Sequence, residues 1–189
     1  MKIGILALQG DIEEHKTILN KLDAEVVEIR KPEQLEGIDG LIIPGGESTT
    51  ITKLMKQYKL DSAIKKFAGT GMPIFGTCAG AIVLAKNLKG DLEKGQTSLG
   101  LIDITADRNA YGGQLESFET DLDIEGIGKF HGIFIRAPKI KANNGVVKSL
   151  AEFNGESVLV RQDNILVSTF HPELGKDLRI HKYFIDMVN

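Results

Sequence analysis

Met72-Pro73-Ile74-Phe75-Gly76-Thr77-Cys78-Ala79-Gly80 carries the reading from which the fold follows. Met72 to Phe75 is an apolar run of strand length, and Cys78-Ala79-Gly80 starts a helix of small residues directly after it. The same alternation runs upstream. Lys2 to Leu8 reads as a buried strand, and Ile12, His15, Leu19 and Leu22 then share one helical face before a second strand from Glu25 to Ile29. A third strand, Gly40 to Ile43, ends in Pro44-Gly45-Gly46, with Ser48 at the expected N-cap of a helix carrying Leu54 and Met55. Strands and helices alternating at this spacing predict an α/β chain, a doubly wound three-layer sandwich with a mostly parallel central sheet. In such sheets the working site lies beyond the carboxyl ends of the strands.

From Leu101 the texture changes. Strand-like segments at Ile102 to Thr105, Leu115 to Ile124, Phe130 to Ile135, Ser157 to Val160 and Ile165 to Phe170 follow with little helix between, which predicts antiparallel or mixed pairing. Ile180, Tyr183, Phe184, Met187 and Val188 mark a closing amphipathic helix. Lys86 to Ser98, rich in Lys, Gly, Asp and Glu, reads as a mobile loop.

With 189 residues and 42% apolar content the chain can bury one core, and one domain over residues 1–189 is expected. A net charge of −3 with dispersed lysines and arginines gives no basic patch for nucleic acid. The apolar stretch Ile3 to Leu8 is too short for a signal-peptide core, and no window approaches the roughly eighteen continuous apolar residues of a membrane span. A soluble protein without membrane partners is expected. The single cysteine excludes an internal disulfide and fits the reducing cytoplasm.

Gly76-Thr77-Cys78-Ala79-Gly80 is the cysteine version of a nucleophile elbow, whose tight strand-to-helix turn strains the nucleophile, needs glycine neighbours and exposes the sulfur at the sheet edge. The helix that follows offers free N–H groups and partial positive charge to a thiolate or an oxyanion. Without the elbow, Cys78 would read as a small core residue. A base must come from His15, His131, His171 or His181. His171 follows a strand and stands two residues before Glu173, which in extended chain puts both side chains on one side, where the carboxylate can fix the ring's tautomer. Pro172 stiffens the link. Zinc chemistry on such a pair needs cysteine ligands that this chain lacks, so no metal is expected. His15 and His181 lie on predicted helix faces as packing or surface residues, whereas His131, in a strand beside Gly132, is harder to set aside.

Pro44-Gly45-Gly46-Glu47-Ser48-Thr49-Thr50 is a glycine turn entering a helix, a geometry that suits anions or carboxylates. It lacks the lysine of a P-loop and the glycine spacing of a dinucleotide site. Arg108 and Arg136 have the planar guanidinium that grips an α-carboxylate, although spacing alone does not select them.

These segments, with Leu8-Gln9-Gly10 and Phe134-Ile135-Arg136-Ala137-Pro138, resemble the glutaminase subunits of pyridoxal 5'-phosphate synthase, within the triad (class I) glutamine amidotransferases, over essentially the whole chain. The resemblance implies a flavodoxin-like fold and hydrolysis of L-glutamine to L-glutamate and ammonia by Cys78, His171 and Glu173. It also implies a glutamine site of Gly46, Glu47, Ser48, Arg108, Ile135 and Arg136, and an oxyanion hole from the Gly46 and Ala79 N–H groups. No cofactor is implied. The implied partner is the synthase subunit, in a large hetero-oligomer that channels ammonia into vitamin B6 synthesis, with Gln9 and Gly10 near the contact. Gly113 departs from the family pattern, which carries arginine there. The alternatives are a glutaminase serving another ammonia-using synthase and a non-catalytic module of the same fold.

Overall fold

The computed structural model describes residues 1–90, 96–108 and 117–188. The first half alternates as the apolar spacing predicts: β1 (Lys2–Leu6), α1 (Ile12–Lys21), β2 (Glu25–Ile29), β3 (Gly40–Ile43), α2 (Ser48–Gln57), α3 (Leu60–Gly69), β4 (Ile74–Thr77) and α4 (Ala79–Leu84). Then come β5 (Ala85–Lys89), β6 (Ile102–Asp107), β7 (Phe118–Ile124), β8 (Gly128–Phe134), β9 (Lys139–Ala142), β10 (Lys148–Phe153), β11 (Glu156–Gln162) and β12 (Ile165–Ser168). A short 3-10 turn at Pro172–Leu174 leads to α5 (Arg179–Asp186).

The main sheet has the order β10-β11-β12-β4-β3-β1-β2. Its β12, β4, β3, β1 and β2 pair in parallel, while β10 and β11 run antiparallel at one side. The order reverses between β1 and β3, and a crevice at that point is where α/β sheets place their ligands. The strands are apolar on both faces because both faces are covered. Ile3, Ile5, Ile42, Phe75 and Leu166 pack with Leu19 of α1 and with Ile180 and Phe184 of α5. Leu6, Leu41, Ile43, Ile74 and Val167 pack on the other face with Ile51 and Met55 of α2, Ile64 of α3 and Val83 of α4. Each of the largest side chains, such as Phe75 and Phe184, contributes roughly 1.5–3 kcal/mol by leaving water. This is the three-layer arrangement with a mostly parallel sheet that the sequence predicts.

The second half is mixed, as expected. The antiparallel hairpin β7-β8 lays Leu122, Ile124, Phe130 and Phe134 on the α1/α5 side, and β5-β6-β9 extends the other side through Ile102, Ile104, Ala106 and Ile140. One expectation fails here. Lys86 to Lys89, which open the stretch read as a loop, belong to the strand Ala85–Lys89 paired in parallel with β6, and its polar residues reflect an exposed edge. Residues 91–95 of that stretch lie outside the described residues. No helix among the described residues is long and apolar enough to cross a membrane.

Candidate active site

Cys78 occupies the junction of β4 and α4 with φ 48° and ψ −101°, a conformation that side chains rarely adopt. The turn is held from both sides. The Cys78 N–H donates to the Ser168 carbonyl of β12 at 2.9 Å, and the Ala81 N–H donates to the Cys78 carbonyl at 3.0 Å. Gly80 is required by close approach, because a Cβ there would stand 2.2 Å from the Ile43 carbonyl oxygen. The strained elbow is therefore present, but the expected exposure of the sulfur is not. Cys78 is only 7% exposed, and its Sγ lies 3.8 Å from the Ile135 carbonyl oxygen, which follows β8 and covers the elbow.

His171 follows β12, and its backbone N–H donates to Ile133 of β8 at 2.8 Å. Its Nδ1 lies 2.7 Å from Glu173 Oε1, and both side chains are buried. A carboxylate can only accept, so Nδ1 carries the proton and Nε2 is left for the thiol side. The two side chains meet for a reason other than the extended-chain spacing. Pro172–Leu174 is a 3-10 turn with His171 as its N-cap residue, and the turn swings the carboxylate back onto the ring. Burial works against charge on His171, but hydrogen bonds with Asp11, Cys78 and Glu173 outweigh it and raise the ring to about 12. Glu173 is also raised, because its burial outweighs the pull of the neighbouring ring. Three partners converge on the His171 ring and favour its charged form.

Asp11, just beyond β1, is a residue that sequence reasoning missed; its Oδ2 lies 3.4 Å from His171 Nδ1. Asp11, His171 and Glu173 place donor atoms within 4.8 Å of one another, in a grouping that could hold a cation. The 2.7 Å contact between Nδ1 and Glu173 is a hydrogen bond that Nδ1 donates, so the ring atom facing the carboxylates is already engaged.

A second group forms at the N-terminus of α2. The helix begins at Ser48, so its N-cap is Glu47 and not Ser48 as expected. The longer carboxylate reaches over to accept from the Thr49 and Thr50 N–H groups at 2.9 and 2.6 Å. Partial burial opposes this anion, but hydrogen bonds from the Thr50 side chain and the two backbone groups lower its pKa to about 2. Arg108 donates to Glu47 at 2.8 Å, to Thr49 at 2.9 Å and to Gln96 at 3.3 Å, and Gln96 donates to Ser48 at 3.1 Å. The Glu47 N–H donates to Gln9 at 2.6 Å. This group abuts the first through Gly45, where a Cβ would stand 2.6 Å from Cε1 of His171.

Residues 5–189 match the SNO glutamine amidotransferase family. The chain belongs to that family. A Thermotoga maritima relative named pyridoxal 5'-phosphate synthase subunit PdxT is 50% identical over 190 residues, covering 100% of both chains. A relative of the same name from Pelotomaculum thermopropionicum is 52% identical, covering 98% of this chain and 94% of its own. A solved structure described as a glutamine amidotransferase superposes with a TM-score of 0.93 at 50% identity, covering 98% of each chain.

Within this amidotransferase fold, Cys78, His171, Glu173 and Ile135 converge on one spot, and Glu47, Ser48 and Arg108 on the adjoining one. Arg136 is exposed with φ 45°, directly after the carbonyl that covers Cys78. Ala79 opens α4, where its N–H has no intrahelical acceptor, and Gly46 sits in the turn before Glu47 with φ 147°. Gly113, the departure from the family pattern, lies outside the described residues. His131 goes elsewhere: it is exposed on β8, between Glu119 at 2.8 Å and Asp121 at 3.0 Å. His15 and His181 are fully buried, so the surface half of their reading is excluded.

Proposed function

We propose that this chain is the glutaminase subunit of a pyridoxal 5'-phosphate synthase, hydrolysing L-glutamine to L-glutamate and ammonia and passing the ammonia to the synthase subunit. The observation that carries the chemistry is a cysteine at a strained elbow beside a buried histidine held by Glu173 at 2.7 Å. The pathway is supported by full-length relatives of about 50% identity that bear the PdxT name.

In this reading the Cys78 thiolate attacks the amide carbon of glutamine, while the Ala79 and Gly46 N–H groups hold the oxyanion. Imidazolium His171 protonates the leaving nitrogen, and ammonia departs. Neutral His171 then activates the water that cleaves the γ-glutamyl thioester, and Glu173 keeps the ring's Nδ1 protonated throughout. Ser48, Glu47, Gly46, Ile135, Arg108 and Arg136 form the glutamine site. Arg108 is suited to the substrate's α-carboxylate, and its ion pair with Glu47 holds it in place beforehand. Gln9 and Gly10 lie at the contact with the synthase, in a hetero-oligomer in the cytoplasm.

Glutamate release from glutamine, measured with and without a pyridoxal 5'-phosphate synthase subunit, tests both halves. Partner-stimulated release that disappears in Cys78→Ala is the expected result. Release that persists in Cys78→Ala overturns the triad, and Cys78-dependent release indifferent to the partner overturns the pathway.

A further inference from the structure

Behind the triad lies a chain of buried polar side chains that the proposed mechanism does not use. His15 of α1 and His181 of α5 are both fully buried, with His15 Nδ1 2.9 Å from His181 Nε2. On its other side, His15 Nε2 is 3.2 Å from Thr77 Oγ1, immediately before Cys78, and 3.7 Å from Glu173 Oε2. Among the described residues, that second carboxylate oxygen of Glu173 has no hydrogen-bond partner, nor has Nδ1 of His181. Thr77 Oγ1 in turn accepts from the Gly45 N–H at 3.1 Å. His15 thus touches the residue before the nucleophile, the carboxylate behind the base, and, through Thr77, the loop that meets His171.

The tautomers follow from an account of donors and acceptors. If His15 carried its proton on Nδ1, His181 Nε2 would accept, leaving a buried orphan N–H at His181 Nδ1. The His15 Nε2 lone pair would then accept from the Thr77 hydroxyl, with the unpartnered Glu173 oxygen beyond it. If His15 carries it on Nε2, that N–H donates to Thr77 Oγ1 with the carboxylate beyond, His181 Nε2–H donates to His15 Nδ1, and a lone pair at His181 Nδ1 and the Thr77 hydroxyl hydrogen are left over. A hydroxyl hydrogen rotates to suit its surroundings whereas a ring N–H is fixed in a buried position, so the second arrangement is the stable one.

We infer that His15 is a positioning residue for the glutaminase reaction: its Nε2–H, donated to Thr77 Oγ1 at 3.2 Å, lies 3.7 Å from Glu173 Oε2, and its dipole favours the charged form of a carboxylate whose Oε1 is aimed at His171. His181 fixes the tautomer of His15. The inference rests on the triad reading above. Both rings are suited to the task because burial holds them neutral: His15 is pushed well below the ordinary histidine range, and His181 down to about 3. A neutral N–H dipole stabilises the buried carboxylate without competing with His171 for its negative charge. The charged and titratable groups facing this network are Glu173, His171 and, beyond them, Asp11 and Cys78.

Two substitutions separate positioning from packing. Gln at position 15 carries an amide N–H where Nε2 stands, whereas Asn carries one where Nδ1 stands and cannot reach Glu173. In the synthase-activated enzyme, His15→Asn is expected to lose about tenfold or more in kcat with little change in KM, and His15→Gln to stay within about threefold of the unchanged chain. The sign on the pH profile is fixed. Without the N–H, Glu173 takes up a proton at higher pH and His171 gives one up at lower pH, so the profile narrows from both limbs in His15→Asn and recovers in His15→Gln. Equal kcat and equal profiles for the two variants, or losses that only track thermal stability, overturn the inference. Nitrogen-15 NMR of the unsubstituted chain needs no variant: a neutral His15 protonated at Nε2 between pH 5 and 8 supports it, and protonation at Nδ1 overturns it. Failure of the triad reading looks different, as glutamate release that survives Cys78→Ala.

Discussion

His171 and His131 are each held between carboxylates, and water makes them different. His171 sits beside Glu173 at 2.7 Å and Asp11 at 3.4 Å, with Glu173 wholly out of solvent. His131 sits between Glu119 at 2.8 Å and Asp121 at 3.0 Å, with all three side chains more than half exposed. Hydrogen bonds to the carboxylates, Glu119 first, raise His131 as well. On the surface, however, solvent screens the attraction and can replace either partner, so the pairing has little consequence. In the buried group no water competes, and the same contact fixes one tautomer and one ring orientation. What sets the His171 group apart is the exclusion of water around the pairing and not the pairing itself.

Removing the buried carboxylate should break the comparison most severely. Glu173→Gln is expected to lower kcat by on the order of 10²–10⁴-fold, the range of a general acid-base contribution. Because Glu173 helps raise His171, the alkaline limb of the pH profile moves to lower pH; stopped-time glutamate assays across pH read both effects, and an unshifted limb would count against the carboxylate's role.

Asp11 lies between the extremes. Its side chain is one-third exposed and its contact is longer, so Asp11→Asn should cost up to about fivefold in kcat, a surface-pair magnitude. A loss as large as that of Glu173→Gln would make Asp11 an equal partner of the ring and sharpen the picture of the triad.

The smallest effect belongs to His131→Ala, which should leave kcat unchanged. A raised histidine contributes stability that is fully present below its unfolded value, near 6.5, and is lost as pH rises through the raised value. Melting curves of the variant and the unsubstituted chain should differ at mildly acidic pH and converge on going alkaline. Divergence in the opposite direction would refute the pairing.

The parallel half of the fold was legible because its strands, such as Ile3–Leu6 and Leu41–Ile43, are covered on both faces and read as unbroken apolar runs. The edge elements were not. Ala85–Lys89, Lys139–Ala142 and Lys148–Phe153 are mixed in polarity because one side meets water, and their pairing is decided by distant strands. In the candidate site, Cys78 and His171-Pro172-Glu173 announce themselves by local motif. His15 and His181 do not, since each finds its partner 166 residues away and sits on an ordinary helix face. Asp11 is similarly silent: its relation to His171 arises only when β1 and β12 enter the same sheet. The Glu47 cap was hidden by Ser48, a commoner capping residue in the adjacent position.

The register of β4 against β12 pairs Gly76 with Val167 and Thr77 with Ser168, and the next rung is the Cys78 N–H on the Ser168 carbonyl. The spacing of Cys78 and His171 is thus gauged by a peptide ladder between β4 and β12 and not by the long stretch of chain between those strands. Changes of length at an exposed turn of that connecting stretch, such as Asn154-Gly155, leave the gauge fixed. A one-residue slip of β12, by contrast, would turn His171 to the opposite face of the sheet and erase the chemistry at a stroke.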